Sequence, residues 1–485
     1  MRRGRTAALA ALLLAGMLSA CTLTHSRYER PALAEVATYD NTEMFPRGDI
    51  APDFYRAFGD EHLTAAVEAA LERNHSMQSA YLSVLSALAA LGIEQAALHP
   101  TAEATLGTQS SRALDRHEHS QRATSGGLSL SYVIDLFGRL AAARRGAFEE
   151  FRASAYDYLA MRLSTIASTA LAYYEYVYSY EAMLLGIQDV LDSRRRLDII
   201  RYRFTLGAVE GLDYDQAMVD HLNVLQTLNS RYNAYDLAHN ALTTMMGRTP
   251  DQVIGLSSLD RSAIPVFGTD VPARLLARRP DLMAAEARIR SALSARDQST
   301  LSFFPEITLS AGIATGSSGV LFERFLANPV GTLGAAAAFP FLSFNELRWQ
   351  RTQAGIALEQ ARLDFVNAYI VAVQEVFDAL STVRYDYQLV LSARREYALT
   401  RSNYDRYLEK YRMGSSPLSD LLDAADALRS ASISLLAAKR DSLVSCVDLM
   451  AALGGDTTED SVRRIDGVGD PGDYRVLGPG PFTAL

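Results

Sequence analysis

The chain is written twice. "RYRFTLGAVEGLDYDQA" (Arg201 to Ala217) aligns with "KYRMGSSPLSDLLDAA" (Lys410 to Ala425), Gly207 falling on Gly414 and Asp213 on Asp420, 207 residues apart. The same offset places Asp157 on Asp364, Tyr158 on Phe365, Phe137 on Phe344 and Tyr180 on Tyr387. Upstream, "AALHPTAEATLG" (Ala96 to Gly107) matches "LSFFPEITLSAG" (Leu301 to Gly312) at Pro100 and Pro305, 205 residues apart. The two-residue slip therefore lies between these blocks, where a loop tolerates it. Any fold for this chain must build one supersecondary unit two times over.

Proline shows what the unit is. There is none between Pro100 and Pro250, nor between Pro340 and Pro417. In the first stretch Leu159, Leu163, Ile166, Ala170, Tyr173, Val177 and Tyr180 alternate steps of four and three. In the second, Val366, Ile370, Val373, Phe377 and Leu380 do likewise, and Val383, Tyr387 and Val390 resume after a shift. Such spacing predicts long helices packed along a coiled-coil seam, with a stutter at the shift. A helix from Gly138 to Leu206 would extend on the order of 100 Å at 1.5 Å per residue. It suits a structure that crosses a space.

Each half also carries two segments of strand character, about 101–111 and 126–137 in the first, about 306–317 and 331–344 in the second. Alternation is plain in Leu128/Leu130/Tyr132 and Ile307/Leu309/Ala311. Strands of roughly 9–11 residues are the length a transmembrane barrel uses. Four strands cannot close a barrel, and lipid forbids their two open edges, so copies of the chain would have to complete the wall.

The ends and the charge narrow the class. Arg2, Arg3 and Arg5 precede the apolar run Ala7 to Met17 and then "LSAC" (Leu18 to Cys21), the layout of a secretory signal. "LSAC" resembles the bacterial lipobox, which implies lipid on Cys21, and by analogy with lipoprotein sorting Thr22 after it favours the outer membrane. Removing the three arginines takes the charge from −9 to about −12, and no basic cluster with interleaved aromatics suggests nucleic acid. Cys446 is then the remaining thiol, so packing or oligomerisation must stabilise the fold. No stretch after the leader offers about 20 apolar residues free of charge.

Three stretches resemble the outer-membrane efflux channel family, TolC-like, and within it the lipoprotein branch of the OprM/NodT type. They are "LLARRPDLMAAEARIRSALSARDQSTLSFFPEITLSAG" (Leu275 to Gly312), "IDLFGRL" (Ile134 to Leu140) and the Tyr-Arg-x-Gly break at Tyr411 to Gly414. Phe54 and Tyr55 stand where that family usually has Trp, and "FNEL" from Phe344 replaces a Gly-containing exit. The resemblance implies an α+β membrane protein: a helical coiled-coil barrel joined to a twelve-stranded β-barrel made by a homotrimer. It implies a periplasmic adaptor and an inner-membrane pump of the resistance-nodulation-division class as partners, outer-membrane lipid around the barrel, and no enzymatic activity. No cofactor is expected beyond lipid on Cys21. The division that follows is 1–20 signal with lipobox, 21–58 lipidated segment, 59–255 first repeat, 264–455 second repeat and 456–485 tail.

In such a channel the glycine breaks are the periplasmic tips. Asp420 and Asp423 share a helix face, and the resemblance makes them a gate of carboxylates around the mouth. The alternative is a solvated first turn that favours the helix dipole. Asp213 would link the hairpins through Tyr411, with Arg412 assisting because Ser416 occupies the usual basic position. Pro280 and Asp281 read as a helix start. His117 and His119 lie in a polar loop, a weak metal pattern. Phe303, Phe304, Phe339 and Phe341 fit either an interfacial belt or a barrel–helix junction, and "SGVLFERFL" (Ser318 to Leu326) an external plug. The rival architecture is a periplasmic coiled-coil scaffold or adaptor lipoprotein without a pore. An enzyme would need a reactive motif, and no Gly-x-Ser-x-Gly, Walker A or HExxH pattern stands in context.

Overall fold

The computed structural model describes residues 26–33, 53–111, 121–262, 279–318 and 329–455. Cys21, His117, His119 and most of Ser318 to Leu326 lie outside the described residues.

After a short 3-10 turn at Phe54–Phe58 come α1 (Glu61–Arg73), α2 (His75–Ala96), β1 (Thr101–Ser111), β2 (Gln121–Ile134), α3 (Arg139–Thr205) and α4 (Gly211–Met245). The second half supplies α5 (Pro280–Leu301), β3 (Glu306–Ser318), β4 (Val330–Ala338), α6 (Phe344–Arg412) and α7 (Leu418–Ala452). Paired lengths reproduce the repeat: 22 residues in α2 and α5, 67 and 69 in α3 and α6, 35 in α4 and α7.

The strands form one antiparallel sheet in the order β1-β2-β3-β4. Register sorts its two faces. Ala104 opposes Leu128 and Leu128 opposes Ile313, while Leu130 opposes Ala311 and Ala311 opposes Leu333. The neighbouring rows pair Glu103 with Ser129, Ser129 with Gly312 and Gly312 with Thr332. One face is therefore apolar and the other polar, as in a barrel with lipid outside and water within. Leu106, Leu128, Ile313 and Leu333 are all exposed, Leu333 at 91 %. No described residue covers them.

β2 and β4 differ from the expectation. β2 begins at Gln121 rather than 126, its pairing with β1 continuing as far as Ser111, and it ends at Ile134 rather than 137, because Asp135 accepts hydrogen bonds from the backbone N–H of Leu140 and Ala141 and starts α3 there. β4 ends at Ala338, not 344: Pro340 has no N–H to donate, a 3-10 turn follows at Phe341–Ser343, and α6 begins at Phe344. Asn345 stands 207 residues after Gly138, whose φ of +83° forms the first-half exit. Lacking that glycine, the second half runs straight into helix.

The helices bury the expected line in α3: Leu163, Ile166, Ala170, Tyr173 and Val177. In α6 the buried line is Leu358, Phe365, Tyr369, Ala372, Val376, Leu380, Val383 and Val390. That is one residue earlier than predicted before Leu380, and Ile370 is 54 % exposed. The physical reason is a second apolar line on the same helix. Ile356, Leu363 and Ile370 recur every seven residues and all face outward. Periodicity reveals both lines without saying which one is covered.

The main core joins the 3-10 turn and α1 to α3, α6 and α7 through Phe54, Phe58, Tyr173, Tyr174, Val376 and Val447. Asp60, 4 % exposed, ties it together, accepting from Tyr173 Oη (2.8 Å), Ser257 Oγ (3.0 Å) and the N–H of His62 (2.9 Å). Helix α2 alone among the described helices is long and apolar enough to cross a bilayer, so it meets the length that no segment after the leader was expected to reach. It instead packs on α3, with Val84, Leu88 and Leu91 against Phe151 and Tyr156.

Where strands meet helices the phenylalanines divide. Phe304 stacks on Phe137 at 4.7 Å and Phe303 meets Phe344 edge-on at 5.2 Å, whereas Phe339 and Phe341 are exposed. The first pair belongs to the junction. The second suits an interfacial belt.

Candidate functional site at the hairpin tips

Both hairpins turn by the same mechanism. Gly207 and Gly414 have φ of +69° and +72°, values that residues with a Cβ rarely adopt. After each glycine the next N–H returns to a carbonyl five residues back, Ala208 to Arg203 and Ser415 to Lys410, both at 2.9 Å. These are Schellman closures, and they satisfy carbonyls that the helix end would leave open. Pro417 then precedes α7, in which Asp420 sits in the first turn, as Asp213 does in α4.

Beneath the turns the hairpins meet in an apolar cluster. Leu197 and Ile200 of α3, Ala217 of α4, Tyr411 of α6, and Leu418 and Leu421 of α7 compose it. Tyr411 is 7 % exposed, its ring lies 4.5 Å from the Arg203 guanidinium, and its hydroxyl has no hydrogen-bond partner among the described residues. Asp420 accepts from Ser416 Oγ at 2.7 Å, while Asp423 is exposed to solvent. Asp213 is half-buried, and Arg412 is held by Glu409 at 2.8 Å. Thus one chain brings Tyr411 onto the first hairpin through Arg203 and keeps Arg412 on its own helix.

Sequence reading missed the charges behind this cluster. Asp189, Arg196 and Arg203 recur every seven residues on α3. Each finds a partner: Arg231 at 3.3 Å from Asp189, Asp220 at 3.1 Å from Arg196, and the Tyr411 ring under Arg203. Asp220 also receives Arg429 of α7 at 2.9 Å, and Arg429 pairs in turn with Asp426. Burial raises the Asp189 pKa, against the lowering effect of Arg231. The available signal was that seven-residue line of charges beside Gly186, Ser193 and Ile200, which are themselves seven apart. Among the described residues no group of His, Cys, Asp and Glu is arranged to hold a metal.

Two long helical hairpins thus pack together along an apolar and ionic seam. Comparison with known proteins gives this architecture a family. The family described as "Outer membrane efflux protein" matches residues 66–248 and 271–455, one match in each half. Outer membrane protein OprJ of Pseudomonas aeruginosa is 28% identical over 92% of this chain and 95% of its own. Toxin and drug export protein A of Aggregatibacter actinomycetemcomitans is 25% identical over 88% of this chain and 93% of its own. Among solved structures, the MtrE outer membrane channel of Neisseria gonorrhoeae superposes with a TM-score of 0.77 at 25% identity, covering 90% of this chain and 99% of that one. The OprN channel gives 0.80 at 20% identity, covering 89% and 99%, which speaks for the fold. With the apolar sheet face, the long helices and both halves matched, the chain belongs to the outer membrane efflux protein family, the non-enzymatic, outer-membrane channels of the TolC/OprM type.

Proposed function

We propose that three copies of this chain close a twelve-stranded barrel and a helical tunnel, the exit duct of a tripartite efflux system. The sheet carries the reading. β1 and β4 are edges with unpaired backbone groups, and the exposed apolar face needs lipid. Each unsatisfied group in hydrocarbon costs several kcal/mol, so edges must pair with neighbouring copies. The outward line Ile356, Leu363 and Ile370 on α6, with Leu212 and Val219 on α4, gives the same copies an apolar helical contact. A periplasmic scaffold without a pore would leave the sheet's apolar face in water.

Asp420 and Asp423 from three chains would ring the tunnel mouth, favouring cations and restricting flow. The link through Asp213, Tyr411 and Arg412 belongs to the same proposal, its partners supplied across the assembled mouth. A periplasmic adaptor and an inner-membrane resistance-nodulation-division pump would deliver small molecules to this mouth. Relatives are named for different cargoes, toluene in Pseudomonas putida and pyoverdine in Pseudomonas aeruginosa. That spread fits a duct whose selectivity resides in the pump.

Cys21 is the proposed lipid anchor, and the segment after it supports this. Ser26 Oγ donates to Asp297 at 2.5 Å, the Arg290 guanidinium lies 4.7 Å from the Tyr28 ring, Arg30 pairs with Glu286 at 2.6 Å, and Leu33 packs on the cluster of Leu282 and Tyr369. The segment thus runs antiparallel along α5, with Ser26 at the end nearer β3. Single-channel recording in a planar bilayer tests the function: discrete conductance steps are expected, and a pure, folded oligomer that never conducts contradicts it.

A further inference from the structure

The polar face of the sheet is nearly free of charge. Side chains alternate along each strand, and the register carries that alternation across all four. Glycine, alanine, serine and threonine make up most of this face, and Val133 and Val330 are its bulkiest apolar side chains. Among the described residues its formal charges stand at Glu103 of β1 and Glu306 of β3. Glu306 is neutralised by Arg139 at the start of α3. Glu103 is not: its carboxylate is exposed, and no described residue gives it a hydrogen bond or an ion pair.

Closing the barrel would not neutralise it. The row through Glu103 continues as Ser129, Gly312 and Thr332, all short and uncharged. β1 is an edge strand, so a neighbouring copy completes the wall by bringing its β4 alongside, and Val330–Ala338 contains no charged residue. The carboxylate is also remote from those at the tips. Its partner Ser129 lies five residues before the end of β2, and α3 then runs 67 residues toward the hairpin turn. That is on the order of 100 Å of helix, about ten times the screening length at 0.1 M salt.

We propose that Glu103, repeated by each copy that closes the barrel, is a second charge filter, set in the strand end of the duct and separate from Asp420 and Asp423. It concentrates inorganic and small organic cations in the lumen and holds back anions. The proposal rests on the channel reading above. Because the surrounding wall is built of small side chains, this filter discriminates by charge and not by size.

Two measurements on the full-length oligomer test it. The first is the reversal potential of single channels in a KCl gradient, with Asp420→Ala and Asp423→Ala present so that the tips contribute nothing. Adding Glu103→Gln should lower the permeability ratio of K+ to Cl− by roughly threefold, as expected of a few screened charges in a watery lumen. Glu103→Lys should lower it further, and Glu103→Asp should keep it. The second needs no conduction. Ser129→Cys places a thiol opposite Glu103, while Cys446 is fully buried. In detergent, the rate of its modification by a cationic methanethiosulfonate relative to an anionic one should fall by a similar factor when Glu103→Gln is added. An unchanged permeability ratio or an unchanged rate ratio in a folded Glu103→Gln oligomer overturns the filter. So does a Ser129→Cys thiol that neither reagent reaches, which would take this face out of water. If the unsubstituted protein never conducts, the channel reading fails, and the thiol rates still decide whether Glu103 sets the potential of the polar face.

Discussion

Asn74 and Arg279 occupy the same station in the two halves. Each stands immediately before a 22-residue helix, and each donates a side-chain hydrogen bond to the final carbonyl of its own half's 35-residue helix. The acceptors are Met245 at 3.0 Å and Ala452 at 3.1 Å. Those terminal carbonyls have no intrahelical partner, so each half closes on itself. The chemistry has diverged while the geometry persists. Asn74 also caps α2 through the N–H of Ser76, whereas Arg279 grips Asp281 and Glu375.

This clasp predicts a graded loss of stability. Asn74→Ala removes a cap and a tie, at a cost of about 1–2 kcal/mol. Arg279→Ala should cost more, because Glu375 and Asp281 lose a guanidinium that is 10% exposed. Thermal unfolding of the detergent-solubilised protein should rank the variants in that order, and the reverse order contradicts the account.

The sheet's two faces should tolerate charge differently. Leu128→Arg places a cation on the apolar face and should destabilise by about 2–4 kcal/mol in a bilayer. Ser129→Arg, one residue on, faces the polar side and should fold with altered conductance. Urea titration of the protein refolded into vesicles separates the two.

At the mouth, Asp420→Ala with Asp423→Ala should raise conductance and weaken cation preference at neutral pH. Unchanged conductance and selectivity would remove the gate while leaving the fold.

Much of this was readable from spacing. The repeat, the long helices, the tips at Gly207 and Gly414 and the four strands follow from residues that backbone geometry dictates. The inner line of α6 was missed by one residue because Ile356, Leu363 and Ile370 form a second apolar line, which no described residue covers. Asp220 was missed for a different reason: charges on helices ordinarily face solvent, and only the fold reveals that Arg196 and Arg429 converge on one carboxylate.

Cys446 should be inert. It is fully buried, and burial, reinforced by nearby Asp386, pushes its thiol up from 9.0 to about 12. The thiolate is the reactive form, so a rise in pKa lowers reactivity at any pH below that value. Alkylating reagents should leave Cys446 unmodified at pH 8 until the protein is denatured, as peptide mass mapping would show. Lipid labelling tests the other cysteine: Cys21→Ser should abolish incorporation of radiolabelled palmitate.

The central claim is that four strands per chain are sealed by neighbouring copies. Native mass spectrometry of the protein released from its own membrane in mild detergent addresses it directly. A mass of three chains is the predicted result. A stable, folded single chain would contradict it.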